Sequence, residues 1–305
     1  MPRTVAPTLV LCALLVASPA LALNPRSFVA SYGNDSNNCQ RATPCRVFAI
    51  AIAATSIGGE VVVLDSAGYG GATITTPITL TSPAGVLAAV NSTMTINLAG
   101  QFDVVRLDGL SFMGSGIDVI GIGRVMLRNL RIAGAGTGIH VNSPGGAIVR
   151  GSDIDIYGPG SYGINLTASS GMNVVTFDRL RVEGTYMGIW VADHTTLTVR
   201  DCTLTGRSEN SNQNYGALLN QPTLQGSDTT VSVENCLVSN WYTAFGSPLG
   251  SGGSGSALFL QNNTIRACDN GAFGHPTYLT ITSFGDNRFI EVNFYKSGFA
   301  TQGTN

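Results

Sequence analysis

From about residue 105 onward, apolar and polar positions recur in short blocks. They read LDGLSF from Leu107, LRNLRI from Leu127, VRGSDI from Val149, FDRLRV from Phe177, VRDCTL from Val199, VENCLV from Val233, LQNNTI from Leu260 and FGDNRF from Phe284. The starts are separated by 20, 22, 28, 22, 34, 27 and 24 residues. The first and sixth positions are almost always apolar, the fourth is often Leu or Cys, and the second is almost always polar. Such alternation over a few residues reads as a strand with one buried face. A second strand follows each block behind a glycine: GIDV from Gly116, GIHV from Gly138, GINL from Gly163, GIWV from Gly188 and, less clearly, GALL from Gly216. A third lies just ahead of the next block and merges with it, as in NVVTF from Asn173 and TVSV from Thr230.

Strands this short, separated by small and amide residues, leave no room for the crossover helices of an α/β sheet. A coil of about 22 residues with up to three strands predicts an all-β, single-domain right-handed parallel β-helix, a solenoid whose coils stack at about 4.8 Å. Equivalent positions then form columns. The second-position column reads Asp108, Arg128, Arg150, Asp178, Arg200, Glu234, Gln261, Gly285. Apart from Arg128 and Arg150, its neighbours are of unlike charge or neutral, as a sheet requires. Asn129, Asn235 and Asn262 at the third position, with Asn263 and Asn287 at the fourth, suit tight turns and amide ladders. Arg131, Asp153 and Arg181 read as a salt-bridge ladder of modest worth.

Ahead of the repeats, residues 1–22 carry one arginine, an apolar run from Leu9 to Ala17 and the small-x-small ending Ala20-Leu21-Ala22. This is the order of a secretory signal peptide, too short for a membrane span. Cleavage after Ala22 and a secreted or periplasmic protein are expected. No later segment has the unbroken apolar length of a membrane span. Residues 23–59 form an N-terminal cap and 60–305 the β-helix with its C-terminal tail. The stretch from Thr43 predicts a capping helix, with Thr43 as N-cap, Pro44 at its first position, Phe48 and Ile52 on one face and Gly58-Gly59 as its stop. Export favours disulfides. Cys39 and Cys45, six apart in a loop-like stretch, are expected to pair. Cys202 and Cys236 occupy the same repeat position in successive blocks, so they either bond or remain as reduced core residues. Cys268 is left over.

Charged residues make up 11% of the chain, the net charge is −2 and Lys296 is the only lysine. No basic stripe is evident, and a nucleic-acid partner is excluded on that ground.

The opening strand from Phe28, the Gly33-Asn34-Asp35 turn, the Cys39/Cys45 pair, the capping helix and the Gly68-Tyr69-Gly70-Gly71 turn resemble a group of exported bacterial proteins described as right-handed parallel β-helix, pectate-lyase-like proteins. With the repeats, the resemblance covers nearly all of the mature chain. It implies the fold and a carbohydrate context; the superfamily includes lyases, hydrolases, esterases, epimerases and non-enzymatic adhesins.

Lyases of that superfamily use acidic calcium ligands and an arginine or lysine base. The run IWVADH from Ile189 resembles the Trp-x-Asp-His run of one lyase family but has an extra residue, which reverses side-chain faces on a strand. Asp193 and His194 therefore read as a turn. The paired aspartates, Gly-His-Gly and Arg-Ile-Lys of polygalacturonase-like hydrolases are absent. A stronger candidate is the exposed column of the second strand, Asp118, His140, Asn165 and Trp190, with Tyr162, Tyr186 and Tyr215 just ahead of the strands. Rings that contact apolar sugar faces beside short polar groups that bond hydroxyls make a glycan-binding surface. The plainer alternative packs the rings against the insertion that begins at Arg207. The leading expectation is an exported protein that binds a polysaccharide or other glycan, without cofactor. The alternatives are a polysaccharide lyase or glycoside hydrolase using Asp118, His140 and Asp193, with calcium only in the lyase case, and an adhesin or scaffold.

Overall fold

In the computed structural model, which describes residues 23–158, 160–207, 216–221, 228–246, 256–273, 279–294 and 299–301, seven equivalent residues carry positive φ. They are Gly109, Asn129, Asp153, Arg179, Asp201, Asn235 and Asn262, with φ between 50° and 76°. One left-handed residue turns an extended chain sharply, and Gly, Asn and Asp tolerate that conformation best. Each residue here bends the chain from one face of the solenoid to the next, so three strands of 11 residues, such as Gly123–Ala133, serve two faces. The turns ladder: Asn129 Nδ2 donates to Asp108 Oδ1 at 2.8 Å, Asn235 Nδ2 to Asp201 Oδ1, and Asn262 Nδ2 to Asn235 Oδ1 at 3.2 Å.

All pairings between strands are parallel and fall into three ladders. The first runs through Val104–Asp108, the N-terminal halves of the long strands, Thr195–Arg200, Thr229–Glu234 and Ser256–Gln261. The second runs through Leu110–Met113, the C-terminal halves of the long strands, Thr203–Thr205 and Leu237–Ser239. The third runs through Met94–Ile96, Ile117–Val119, Thr137–Asn142, Tyr162–Thr167, Met187–Val191 and Gly216–Asn220. Apolar side chains of all three point inward and form one continuous core, among them Leu127, Phe177, Ile132, Ile139 and Ile189.

One block sits two residues away from the register that its apolar pattern predicts. Leu127 pairs with Gly151, not with Val149, and Gly151 pairs with Phe177. The phenyl ring of Phe177, one rung on, occupies the space that a side chain at 151 would need. A Cβ there would lie 2.4 Å from the ring and 2.7 Å from Ile154 Cδ1. The second-position column is therefore Asp108, Arg128, Ser152, Asp178, Arg200, Glu234, Gln261, and the like-charged Arg128–Arg150 neighbours of the sequence reading vanish. The predicted Arg131-Asp153-Arg181 ladder is also corrected: Asp155 stands between Arg131 and Arg181, while Asp153 occupies the turn. In the last block Leu260 pairs with Ser283, not Phe284, and one extra residue precedes Phe289, which faces Ile265.

At the N-terminus, strand Asn24–Val29 lies parallel on Thr55–Val63. Cys39 and Cys45 are bonded, with Cα atoms 4.7 Å apart. The helix is shorter than predicted, Phe48–Ala53, with Val47 as its N-cap residue and Gly58-Gly59 inside the next strand. Residues 43–47 are held elsewhere: Cys45 N donates to Phe28 O, and the N–H groups of Arg46 and Val47 donate to Asp35 Oδ1. Phe48 and Ala51 still bury their side chains in the core, so the helix covers the first coils as expected. Cys202 and Cys236 bond across one rung, with Cα atoms 4.5 Å apart. Cys268 is buried and free, and burial pushes its thiol up to about 11. The predicted signal segment 1–22 lies outside the described residues. No helix among the described residues is long and apolar enough to cross a membrane.

Candidate functional site

The third ladder positions the predicted surface. Its outward column reads Thr95, Asp118, His140, Asn165, Trp190, each directly opposite the next. The flanking residues, Ile117 and Val119 through Ile189 and Val191, are buried, so alternation along each strand turns Asp118, His140, Asn165 and Trp190 outward. The recurring glycine before each strand has a steric cause. A Cβ on Gly116, Gly138, Gly163 or Gly188 would meet a backbone oxygen of the next rung at 2.2 to 2.6 Å.

His140 Nδ1 stands 3.5 Å from Asp118 Oδ1, and both side chains are partly exposed. Asn165 Oδ1 is buried without a hydrogen-bond partner. The Trp190 ring meets that of Tyr162 edge-on, with centroids 6.2 Å apart and planes at 69°. Tyr162 lies in register with Met187, so Tyr186 sits one residue further from the strand, 42% exposed. Tyr215 falls outside the described residues. On the next rung Leu219, opposite Trp190, is fully buried, which closes the polar and aromatic column.

Asp193 does not join this set. Asp193 and His194 both have positive φ, 43° and 44°, and form the turn between Val191 and Thr195 that the sequence predicted. Thr195 Oγ1 donates to Asp193 O at 2.9 Å, and Asn173 N to His194 O at 2.9 Å. Three rungs separate Asp193 from Asp118, on the order of 14 Å along the axis. Among the described residues no three His, Cys, Asp or Glu side chains cluster as metal ligands.

The second ladder holds a concavity of about 490 Å³ that the sequence reading missed, lined by Arg131, Asp155, Tyr157, Arg181 and Glu183. The Arg131 guanidinium lies 4.8 Å from the centre of the Tyr157 ring, and Arg181 Nη2 pairs with Glu183 Oε2 at 2.6 Å. Both arginines are thus turned from Asp155, although the register sets it between them. The only signal was the spacing Arg131-Asp155-Arg181, hidden by the two-residue slip. Asp153 pairs bidentately with Arg179 at 2.6 and 2.7 Å, and that hydrogen bonding holds its carboxyl below the usual range despite some burial.

Parallel ladders around one core, with a polar and aromatic column facing out, define a parallel β-helix solenoid. The chain belongs to the right-handed β-helix family: residues 94–271 match its model, described as "Right handed beta helix region". No curated protein matches the sequence. Among solved structures, the pectate lyase Pel9A is similar with a TM-score of 0.59 and 15% identity over 91% of this chain and 80% of that one. An alginate lyase from Paenibacillus sp. str. FPU-7 aligns with a TM-score of 0.58 and 17% identity, covering 90% of this chain and 99% of that chain. A GH136 lacto-N-biosidase from Eubacterium ramulus aligns at 0.50 and 11%, covering 91% and 67%. At these identities the likeness establishes the shared fold.

Proposed function

We propose that the protein binds a polysaccharide or other extracellular glycan along the third-ladder face, from Asp118 to Trp190. The observation that carries this reading is the Tyr162–Trp190 ring pair, partly exposed beside the short polar groups Asp118, His140 and Asn165 in one register. An aromatic ring face offers a sugar ring an apolar platform while neighbouring carboxylate, imidazole and amide groups take its hydroxyls. The fold is shared with lyases and a glycosidase, which supports a carbohydrate context by analogy. Two disulfides fit an oxidising compartment, in keeping with export.

The test is binding of the mature chain to neutral and acidic polysaccharides in high salt, where surface charge contributes little. Trp190→Ala is expected to weaken binding about tenfold or more, as loss of an aromatic anchor does, while Trp190→Phe retains most of it. Equal binding by wild type and Trp190→Ala sinks the proposal.

A glycosidase reading is favoured by one observation: Asp155 and Glu183 share the second-ladder concavity, and a carboxylate pair is what glycoside hydrolysis uses. Release of reducing ends from any of those polysaccharides, abolished by Asp155→Asn, would establish it. Unsaturated products from polygalacturonate or alginate, lost in His140→Ala, would instead establish the lyase alternative.

A further inference from the structure

Adjacent outward columns of the first ladder treat charge in opposite ways. In the column Asp108, Arg128, Ser152, Asp178, Arg200, Glu234, each arginine has a carboxylate on a neighbouring rung; Arg200 Nε meets Glu234 Oε2 at 3.0 Å. The next two columns have no such compensation. One reads Thr79, Arg106, Met126, Arg150, Thr176, Thr198, and the other Val104, Arg124, Ile148, Val174, Thr196. From Thr79 and Val104 onward they hold three arginines and no carboxylate; Glu60, on the rung before Thr79, is already paired with Arg26 at 2.8 Å.

Rung by rung, the two columns form a chequerboard: Val104 and Arg106, then Arg124 and Met126, then Ile148 and Arg150. No arginine lies directly opposite another, which avoids the strongest cross-strand repulsion. The three still stand close. Arg106 and Arg150 are two rungs apart, about 10 Å, and Arg124 is diagonal to each at about 8 Å. All three are exposed, and among the described residues none has an ion pair. Arg124 lies over the Phe102 ring at 5.7 Å. Arg124, Met126, Ile148 and Arg150 line a concavity of about 160 Å³, with Val174 42% exposed on the following rung.

We propose that this face is a second binding surface, for a carboxylate- or sulfate-bearing polysaccharide. Guanidinium forks match the planar oxygens of carboxylates and sulfates, and the intervening Met126, Ile148 and Val174 offer apolar patches to sugar rings. A net charge of −2 on the chain opposes the far denser charge of a nucleic-acid duplex. The surface is independent of the Trp190 face and stands or falls without it.

The experiment measures binding of the mature chain to polygalacturonate and to heparin in low salt and across a salt series. Wild type is expected to bind at least one of them, with affinity falling as salt rises. The combined variant Arg106→Gln, Arg124→Gln, Arg150→Gln should bind about tenfold more weakly, whereas Arg128→Gln, which removes a single like charge one column away, should change binding less than Arg150→Gln alone does. In the Trp190→Ala background the three arginine substitutions should cause the same further loss of about tenfold, because the two faces are separate. The polygalacturonate and heparin arms separate carboxylate from sulfate recognition. No salt-sensitive binding to either probe, equal binding by the triple variant, a loss in Arg128→Gln equal to that in Arg150→Gln, or tighter binding of duplex DNA than of either polysaccharide would overturn the proposal.

Discussion

Gly151→Leu, which would restore the apolar residue that neighbouring blocks carry at this position, is expected to destabilise the protein by about 2–3 kcal/mol. The glycine is not held by its backbone, because its φ is not in the left-handed region. Space decides: Phe177 from the next rung reaches under it, and Ile154 closes the other side. Gly151 and Phe177 thus share a volume that Leu127 and its partners divide more evenly. Shortening the ring in the double variant Gly151→Leu, Phe177→Val should recover more than half of the loss, although Phe177→Val alone leaves a cavity and is itself destabilising. Urea unfolding of the four proteins completes the cycle. Additive losses would show that the two side chains do not share this space.

Asn263→Ala is the second large effect, expected at about 3 kcal/mol in the same urea series. The side chain is 1% exposed and saturated. Its Oδ1 accepts from Cys236 N at 2.9 Å, and its Nδ2 donates to Val233 O and to Asn287 Oδ1, each at 2.9 Å. Alanine would leave a buried N–H and a buried carbonyl unpaired between rungs. Asn262, one residue earlier, is the internal control. It is exposed, makes a single 3.2 Å side-chain bond to Asn235 and holds φ at 51°, so Asn262→Ala should cost only about 1 kcal/mol. Similar losses at both positions would mean that the ladder inside the coil is worth no more than the turn outside it.

The contrast between these two asparagines shows what a sequence of this kind discloses. Burial imposes a strict alternation on each strand, so the repeat, the inward columns and the Asp118-His140-Asn165-Trp190 face are legible residue by residue. The Val191–Thr195 turn is legible on a different ground, the one residue by which the run from Ile189 exceeds the lyase run it resembles. Relations between coils of unequal length are not. The Gly151/Phe177 exchange conserves volume across rungs rather than along a strand, and no local pattern reports it. That slip placed Arg150 beside Arg128, concealed Asp155 between Arg131 and Arg181, and hid the arginine chequerboard. The helix was overextended for a related reason: Thr43 and Pro44 are good starting residues, but Cys45 is claimed by a disulfide and by Phe28, partners distant in sequence.

The Cys202–Cys236 bond closes a loop of 34 residues that contains the whole insertion from Arg207 onward. Coils that touch only their neighbours depend on each junction in turn. Here the junction is covalent, so a protease that cut the backbone anywhere inside the loop would liberate neither half of the molecule. The rungs on either side would stay bolted together, still sharing the Thr198–Ser232 and Val199–Val233 pairings, until a reductant opened the bond. Among the described coils, a single cut between Cys202 and Cys236 therefore leaves the two halves covalently joined.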